Sequence, residues 1–446
     1  MAKAGSIPTI DPAPSTLASH LPKRAAQVRW VFPGSLATAV PSGRRVVGRD
    51  EDCDTRLDGQ EISRRHAELR ADGPMLAVRD LDSRNGVHVN GKRVTDAPLA
   101  PGDVVRCGEW VGVAVADEEP PGLTEIAPGW WGGPALVTAT RPARAAGDAL
   151  SIVVQGETGT GKEGLARAVH AWSGRTGPFV AVNCAALPSH LAEAELFGYR
   201  RGAFTGADRS SPGFFRAAHG GTLFLDEVLE LPRDVQPKLL RALEQREVQS
   251  LGEAATVRVD VRIVAAAQAP LGEAVAAGRF RADLQARLDG LTIVLPPLRA
   301  RRDEAVALFR ELLRQHAGGR APALDPKLIE SVALHDWPLN VRELVTVARR
   351  LLVVHGHEPL LRRSHLPDEV RARAEASAAP PAVEPALPAR RSVDDAEDFA
   401  ALVAALRAHE GSVSRAAAAA GLSRARAYRL LAAHPEFALD ETRQRP

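Results

Sequence analysis

Val153-Val154-Gln155-Gly156-Glu157-Thr158-Gly159-Thr160-Gly161-Lys162-Glu163 is the stretch whose reading decides the fold. An apolar run that reads as a strand feeds a glycine-rich turn, and Leu165-Ala166-Arg167-Ala168-Val169 then starts a helix. That order is the context a phosphate-binding loop requires. Glycines let backbone N–H groups approach a β-phosphate at the helix N-terminus, and the Lys162 ammonium reaches the β- and γ-phosphates. Gly156, Glu157, Thr158, Gly159, Thr160, Gly161 and Lys162 are therefore the candidate ATP cradle. Glu163 stands where such loops usually carry Ser or Thr, so the hydroxyl ligand for Mg2+ is missing and a water is left to substitute.

Downstream, Thr222-Leu223-Phe224-Leu225 reads as a buried strand ending in Asp226-Glu227. An isolated acidic pair there would read as capping or surface carboxylates, but the upstream loop gives both a task. Asp226 would hold Mg2+, directly or through water, and Glu227 would polarise the attacking water as general base. Asn183 ends another apolar run, Phe179-Val180-Ala181-Val182, and is either an ordinary strand-end cap or part of the site.

The chain has 446 residues with 45% hydrophobic content, which predicts about three domains with packed cores. Its 57 basic and 55 acidic residues leave a net charge of +2, so nucleic-acid binding would need a local patch. Cys53, Cys107 and Cys184 are too few and too scattered for a disulfide framework or a metal site. Without an apolar signal region near Pro12, Pro14 and Pro22, or a membrane-length apolar run, a cytoplasmic protein is expected.

The predicted class is multidomain. Residues 1–26, rich in Pro, Ala and Ser, read as disordered. Residues 27–116 read as an all-β sandwich, from short runs such as Arg45-Val46-Val47 and Val87-His88-Val89 with turns at Asp72-Gly73-Pro74 and Asn90-Gly91. Residues 117–126 form an acidic, Pro-rich linker. Alternating strands and helices over 127–300 predict an α/β domain, and 301–374 its α-helical lid. Residues 375–392, dense in Ala and Pro, read as a tether, and 393–438 as a small all-α domain.

Gly202-Ala203-Phe204-Thr205-Gly206-Ala207 lies between the phosphate loop and the acidic strand. The hexapeptide matches the loop with which bacterial sigma-54-dependent transcription activators engage their polymerase. Together with the ATP motifs, the chain resembles the AAA+ ATPases of that family, which use ATP hydrolysis to remodel RNA polymerase bound to sigma-54. The resemblance implies that residues 202–207 contact sigma-54. Members of the family also carry Glu at the Glu163 position. It implies that Asn183 holds the catalytic Glu227 until nucleotide is sensed, and that Arg281 and Arg287 act as fingers on the γ-phosphate of the next subunit. On a straight helix those two arginines point ~120° apart, so a break between them is needed. Without the resemblance, both read as solvated face. Fingers acting in trans imply a homo-oligomer, a hexamer in the family. Arg342, in Trp337-Pro338-Leu339-Asn340-Val341-Arg342, matches the lid arginine that senses nucleotide, and otherwise reads as a surface salt bridge.

Four positions depart from the family. Ala267-Gln268 replaces the usual Thr-Asn of the sensor strand, keeping an amide but lengthening it by a methylene. Arg200 stands where an acidic residue is usual, and Leu339 where a Gly is.

In the β-rich region, Gly48-Arg49, Ser63-Arg64-Arg65-His66, Ser83-Arg84-Asn85-Gly86 and Asn90-Gly91 follow the order and spacing of a forkhead-associated domain. The resemblance implies a phosphothreonine protein as partner. Arg49, Arg64 and Arg84 would supply charge, Ser63 a hydroxyl and Asn85 a backbone contact, with His66 structural. At the other end, Ser414 to Ala420 reads as a helix, Gly421-Leu422 as a turn, and Ser423 as the cap of a second helix carrying Arg424, Arg426, Tyr428 and Arg429. Four arginines and no acidic residue between Gly411 and Pro435 supply a local positive field. The pattern resembles Fis-type helix-turn-helix domains, which implies that those five residues meet upstream enhancer DNA; an Ala-rich hairpin for self-association is the alternative. The whole reads as an ATP- and Mg2+-dependent activator of sigma-54 RNA polymerase. A DNA-binding scaffold or repressor whose ATPase only switches assembly is the second reading.

Overall fold

The structure, a computed structural model, describes residues 25–72, 75–117, 119–148, 150–205, 207–318, 321–372, 395–409, 413–422, 426–427 and 430–431. Most of the segment expected to be disordered and all of the tether expected at 375–392 lie outside those residues. The chain divides into two compact units, Met1–Ala379 and Pro380–Pro446.

The first unit opens with a sandwich. One sheet contains Gln27–Phe32, Leu36–Ala39, Val87–Val89, Lys92–Val94, Val104–Cys107 and Trp110–Val115, and the other Arg44–Gly48, Thr55–Arg56, Ala67–Asp72, Met75–Asp80 and Asp96–Leu99. Period-two alternation sends Val28, Trp30, Val47, Leu69 and Val78 inward, and the Trp30 and Trp110 rings meet edge to face at 6.4 Å. Asn90 and Gly91, both at positive φ, close the Val87–Val94 hairpin as that turn chemistry requires.

Next comes a five-stranded, wholly parallel sheet in the order Phe179–Asn183, Thr222–Asp226, Arg262–Ala267, Ile152–Gln155, Leu291–Val294. Both of its faces are covered, so its strands read as continuous apolar runs rather than alternations. Helices Arg302–His316, Pro326–Leu334 and Asn340–His355 then build the lid.

The sandwich and the lid share one core. Val31, Val104, Val111, Val113 and Val115 of the sandwich pack with Val306, Phe309, Ile329 and Trp337 of the lid. Arg29, only 1% exposed, reaches Asp303 at 2.8 Å, pairs also with Asp117, and donates from Nε to the Glu119 carbonyl at 3.0 Å. Arg106 pairs with Glu330 at 2.9 Å, and Arg310 donates to the carbonyls of Val31 and Pro33 at 2.7 and 3.0 Å. The stretch expected to be a linker is thus strapped down: Gln27 Nε2 also donates to the carbonyls of Asp117 and Glu119, and Thr124–Ala127 pairs with Trp130–Gly132.

In the second unit, helices Asp395–Ala408 and Val413–Ala419 pack through Leu402, Leu406, Ala416 and Ala417, with Ala427 and Leu430 in the same buried cluster. Three of these six residues are alanines, which makes this a thin core.

Candidate functional site

The phosphate loop is shaped by its glycines. Gly159 and Gly161 sit at φ 77° and 106°, which a side chain resists, and a Cβ on Gly159 would lie 2.1 Å from the Leu339 carbonyl oxygen. Lys162 begins the helix Lys162–Trp172, is 7% exposed, and donates from Nζ to the Gly156 carbonyl at 2.9 Å. Its ammonium lies 3.7 Å from Glu227 Oε1. Glu163 is turned to its own helix, where it takes a two-pronged contact from Arg167 at 3.0 and 2.7 Å.

Asp226 ends its strand in register with Asn183 on the neighbouring strand. Its Oδ1 accepts from the Glu227 N–H at 3.1 Å, and Glu227 itself is held at φ 52°, an unusual backbone for a non-glycine residue. Burial and then the Glu227 carboxylate hold Asp226 above the ordinary carboxylate range, against the pull of Lys162. Two crowded carboxylates beside a loop of free N–H groups are a donor set suited to a hard divalent cation and a polyphosphate, so the residues fit Mg2+ and ATP.

The two amides of the site differ in what they hold. Gln268 Nε2 donates to Glu227 Oε1 at 2.9 Å, whereas Asn183 Oδ1 accepts from the Ala185 N–H at 3.0 Å and caps the short turn Cys184–Ala186. In this state Glu227 is therefore held by the residue that departs from the family, and Asn183 serves its own strand end.

The lid clasps the loop from the other side. Val341 N–H donates to the Gly159 carbonyl at 3.0 Å, and Asn340 Nδ2 to the Thr158 carbonyl at 3.0 Å and to Glu157 at 3.3 Å. Arg299 makes a two-pronged contact with Glu157, whose carboxyl it holds below the usual range. Arg301 donates to the Thr160 carbonyl at 3.4 Å and to Glu304 at 3.0 Å, while Glu304 accepts from the N–H groups of Ala135 and Leu136 at a helix start. Arg342 is exposed, with its Cβ near Gly159. Leu339 adopts φ −102°, so its position has no need of glycine; the left-handed residues are Trp337 and Asn340. Arg299, Arg301, Glu304 and Asn340 were not singled out from the sequence. Only Asn340, beside Arg342 in the quoted stretch, carried a local signal.

Arg281 lies outside the helix Ala282–Leu288, in extended backbone at its N-cap, so the break demanded between the two arginines exists. Arg281 makes a two-pronged contact with Asp283 at 3.0 and 2.7 Å, and Arg287 donates to the Leu243 carbonyl at 3.1 Å; neither touches Lys162, Asp226 or Glu227.

The hexapeptide forms a compact loop. Gly202 N–H donates to the Ala207 carbonyl at 2.8 Å, Ala207 N–H to that of Phe204 at 3.0 Å, and the Phe204 ring rests on Tyr199 at 5.1 Å. Ala203 is partly exposed and Thr205 exposed, while Gly206 lies outside the described residues. Arg200 pairs with Glu253 at 3.2 Å, and shares that carboxylate with Arg216, which holds it at 2.8 Å.

On the sandwich, Arg49, Ser63, Arg64, Arg84 and Asn85 gather on adjacent loops. Arg49 N–H donates to the Ser63 carbonyl and Arg84 N–H to Ser63 Oγ, both at 3.0 Å, and Asn85 Nδ2 donates to the Glu61 carbonyl at 2.7 Å. The three guanidinium groups are exposed, with no protein partner among the described residues. His66 is fully buried, accepts from the Ser63 N–H at Nδ1 and lies 3.3 Å from the Gly86 carbonyl at Nε2; burial lowers its pKa. In the C-terminal unit Arg426 pairs with Asp398 at 2.7 Å, and Ser423, Arg424, Tyr428 and Arg429 lie outside the described residues.

Comparison with known proteins joins these parts. The Sigma-54 interaction domain matches residues 135–294, the FHA domain 45–108 and the AAA+ ATPase lid domain 299–382. The probable regulatory protein HrpS of the pathogenicity locus of Pseudomonas syringae pv. syringae is 47% identical over 204 residues, which are 45% of this chain and 68% of HrpS. The chain belongs to the sigma-54 interaction domain family of transcriptional regulators. The C4-dicarboxylate transport regulator DctD of Rhizobium meliloti is 41% identical over 291 residues, 64% of this chain and 59% of DctD. The crystal structure of NtrX from Brucella abortus superimposes with a TM-score of 0.50 at 31% identity, covering 67% of each chain. The chain spans about two thirds or less of these relatives' lengths. Among the described residues no helix is long and apolar enough to cross a membrane.

Proposed function

We propose that this family member is an ATP-hydrolysing activator of sigma-54 RNA polymerase, governed by phosphothreonine recognition and anchored to upstream DNA. The observation that carries this reading is the convergence of Lys162, Asp226 and Glu227 at one end of the parallel sheet, in the same domain as the Gly202–Ala207 loop.

The loop amides and Lys162 would bind the β- and γ-phosphates. Mg2+, held by Asp226 with water in place of the missing hydroxyl, would neutralise charge on the phosphates. Glu227 would accept the proton of the attacking water, with Gln268 orienting its carboxylate. Arg342 would sense nucleotide from the lid, and Arg281 and Arg287 would complete the site of the next protomer in a hexamer. Phe204 and Thr205 would deliver the resulting motion to sigma-54. Arg49, Ser63, Arg64, Arg84 and Asn85 would receive a phosphothreonine protein, and the Ser423–Arg429 helix would meet DNA.

The test is transcription from a sigma-54 promoter with purified components and ATP. Wild type should activate, and Thr205→Ala and Glu227→Gln should not. The departure Ala267-Gln268 at the sensor strand suggests a second reading, a DNA-binding scaffold that binds ATP without turning it over. Measured ATPase turnover near zero in wild type, with normal ATP binding, would select it.

A further inference from the structure

Away from the nucleotide and phosphopeptide surfaces, three metal-ligating side chains converge at the end of the lid. His355 is the last residue of the helix Asn340–His355, Glu358 follows in a turn closed by its own N–H to the His355 carbonyl at 3.0 Å, and His365 ends the turn Arg363–His365. One donor atom from each lies within 4.8 Å of the other two. The two imidazoles stack with centroids 4.2 Å apart and planes 12° from parallel.

The backbone that carries them is fixed. Between Glu358 and His365, the strand Leu360–Leu361 pairs with Ala323–Leu324, Leu361 is fully buried, and the Asp325 N–H donates to the Leu361 carbonyl at 2.9 Å. The donors, by contrast, are uncommitted. Among the described residues, the His355 ring and the Glu358 carboxylate have no hydrogen-bond or ion-pair partner, and the His365 Nδ1 accepts only a 3.3 Å bond from the Arg362 N–H. Arg350 and Arg371 line an adjoining cavity of about 310 Å³ with His355 and His365, and Arg371 is paired there with Asp368. Those arginines oppose a cation; Asp368 and Glu369, in the same cavity, offset them.

Two imidazole nitrogens and one carboxylate oxygen form a borderline-soft set that suits Zn2+, with a fourth position left for water. Zinc bonds of about 2.0–2.2 Å require the donors to close from up to 4.8 Å and the two rings to turn out of their stack, because the in-plane lone pairs of parallel rings do not meet at one ion. We propose that His355, Glu358 and His365 bind one zinc ion that staples the last helix of the lid to the turn that follows it. This site is independent of the ATP and phosphopeptide chemistry.

The test uses full-length, tag-free, chelator-treated protein titrated with ZnCl2 against a chromophoric zinc indicator. One saturable equivalent per chain is expected. His355→Ala and His365→Ala should each weaken binding by more than the roughly tenfold that loss of an outer partner costs, and Glu358→Gln by a smaller factor. Cys53→Ser and His190→Ala, which alter a partly exposed thiol and an exposed imidazole elsewhere, should leave it unchanged. Circular dichroism and Tm without zinc should match wild type in every variant, which separates lost ligation from lost folding. Absence of saturable binding tighter than about 100 μM, or binding that survives both histidine substitutions, would overturn the proposal.

Discussion

Arg29→Met should loosen the sandwich from the lid, and the structure gives the size of the effect. The guanidinium is almost wholly buried, its Asp303 partner is 8% exposed at the side chain, and 2.8 Å separates them. Removing one member of such a pair strands the other charge away from water, at a cost of about 3–5 kcal/mol. Asp117 is half exposed, so its lost pairing adds at most about 1 kcal/mol. In Arg29→Met/Asp303→Leu both buried charges are gone and methylene groups fill their place, so most of the loss should return. The coupling between the two sites should then be on the order of 2 kcal/mol or more. Native-state hydrogen exchange reports it best, because opening of this contact exposes the strands Gln27–Phe32 and Trp110–Val115 without unfolding the ATPase sheet. A single-mutant cost below about 1 kcal/mol, typical of a surface ion pair, would refute the reasoning. So would additivity of the two substitutions within about 0.5 kcal/mol.

Other outcomes follow from the sites themselves. Gln268→Ala removes the donor that orients Glu227 and should lower kcat for ATP hydrolysis by about tenfold or more, as loss of a 1.5–3 kcal/mol charged hydrogen bond implies, with ATP affinity nearly unchanged; steady-state kinetics and nucleotide titration check both. Asp226 has a raised folded pKa, so the nucleotide-free fold binds its proton more tightly than the unfolded chain does and loses stability as pH rises past the ordinary carboxylate range. Asp226→Asn should accordingly raise Tm at neutral pH while abolishing Mg2+-dependent hydrolysis, as thermal scans across pH and an ATPase assay would report. Arg64→Ala should weaken a phosphothreonine peptide by about 10- to 150-fold in calorimetry, the worth of one charge-assisted bond, and leave the unphosphorylated peptide unaffected.

What the sequence made legible was the placement of contiguous motifs. Gly156 to Lys162, Asp226-Glu227 and the hexapeptide each lie within one short segment, where backbone geometry and side-chain type are read together. Three central strands of the parallel sheet, at Ile152–Gln155, Thr222–Asp226 and Arg262–Ala267, were legible because they are buried on both faces and so are almost wholly apolar, whereas the edge strand Leu291–Val294 was not picked out. What remained hidden depends on partners distant along the chain. Arg29 and Asp303 stand 274 residues apart and Arg106 and Glu330 stand 224 apart, and nothing local distinguishes them from solvated charges. The same holds for Arg299 against Glu157, 142 residues away. Gln268 was legible as a departure but not as a contact: whether the longer amide reaches Glu227 depends on the left-handed backbone at Glu227, which no pattern in the sequence announces.

The position of the buried pair links the sandwich to the nucleotide loop by adjacency rather than by distance. Asp303, which receives Arg29, precedes Glu304, whose carboxylate caps the helix beginning at Pro134 and pairs with Arg301, and Arg301 in turn donates to the Thr160 carbonyl in the loop itself. These contacts cluster at the start of one helix, Arg302–His316, which also packs its Val306 and Phe309 against the sandwich core. A helix is stiff over its length, so displacing the sandwich must either break the Arg29 pair and expose that core or carry the helix start with it. The first course costs several kcal/mol, as the Arg29→Met argument gives. The second stretches the 3.4 Å hydrogen bond at Thr160 and also pulls the buried Glu304 carboxylate from the N–H groups of Ala135 and Leu136, at about 1–3 kcal/mol for each bond lost. Neither course is cheap, so the short run Arg301 to Glu304 holds the sandwich, the helix beginning at Pro134 and the phosphate loop at one place.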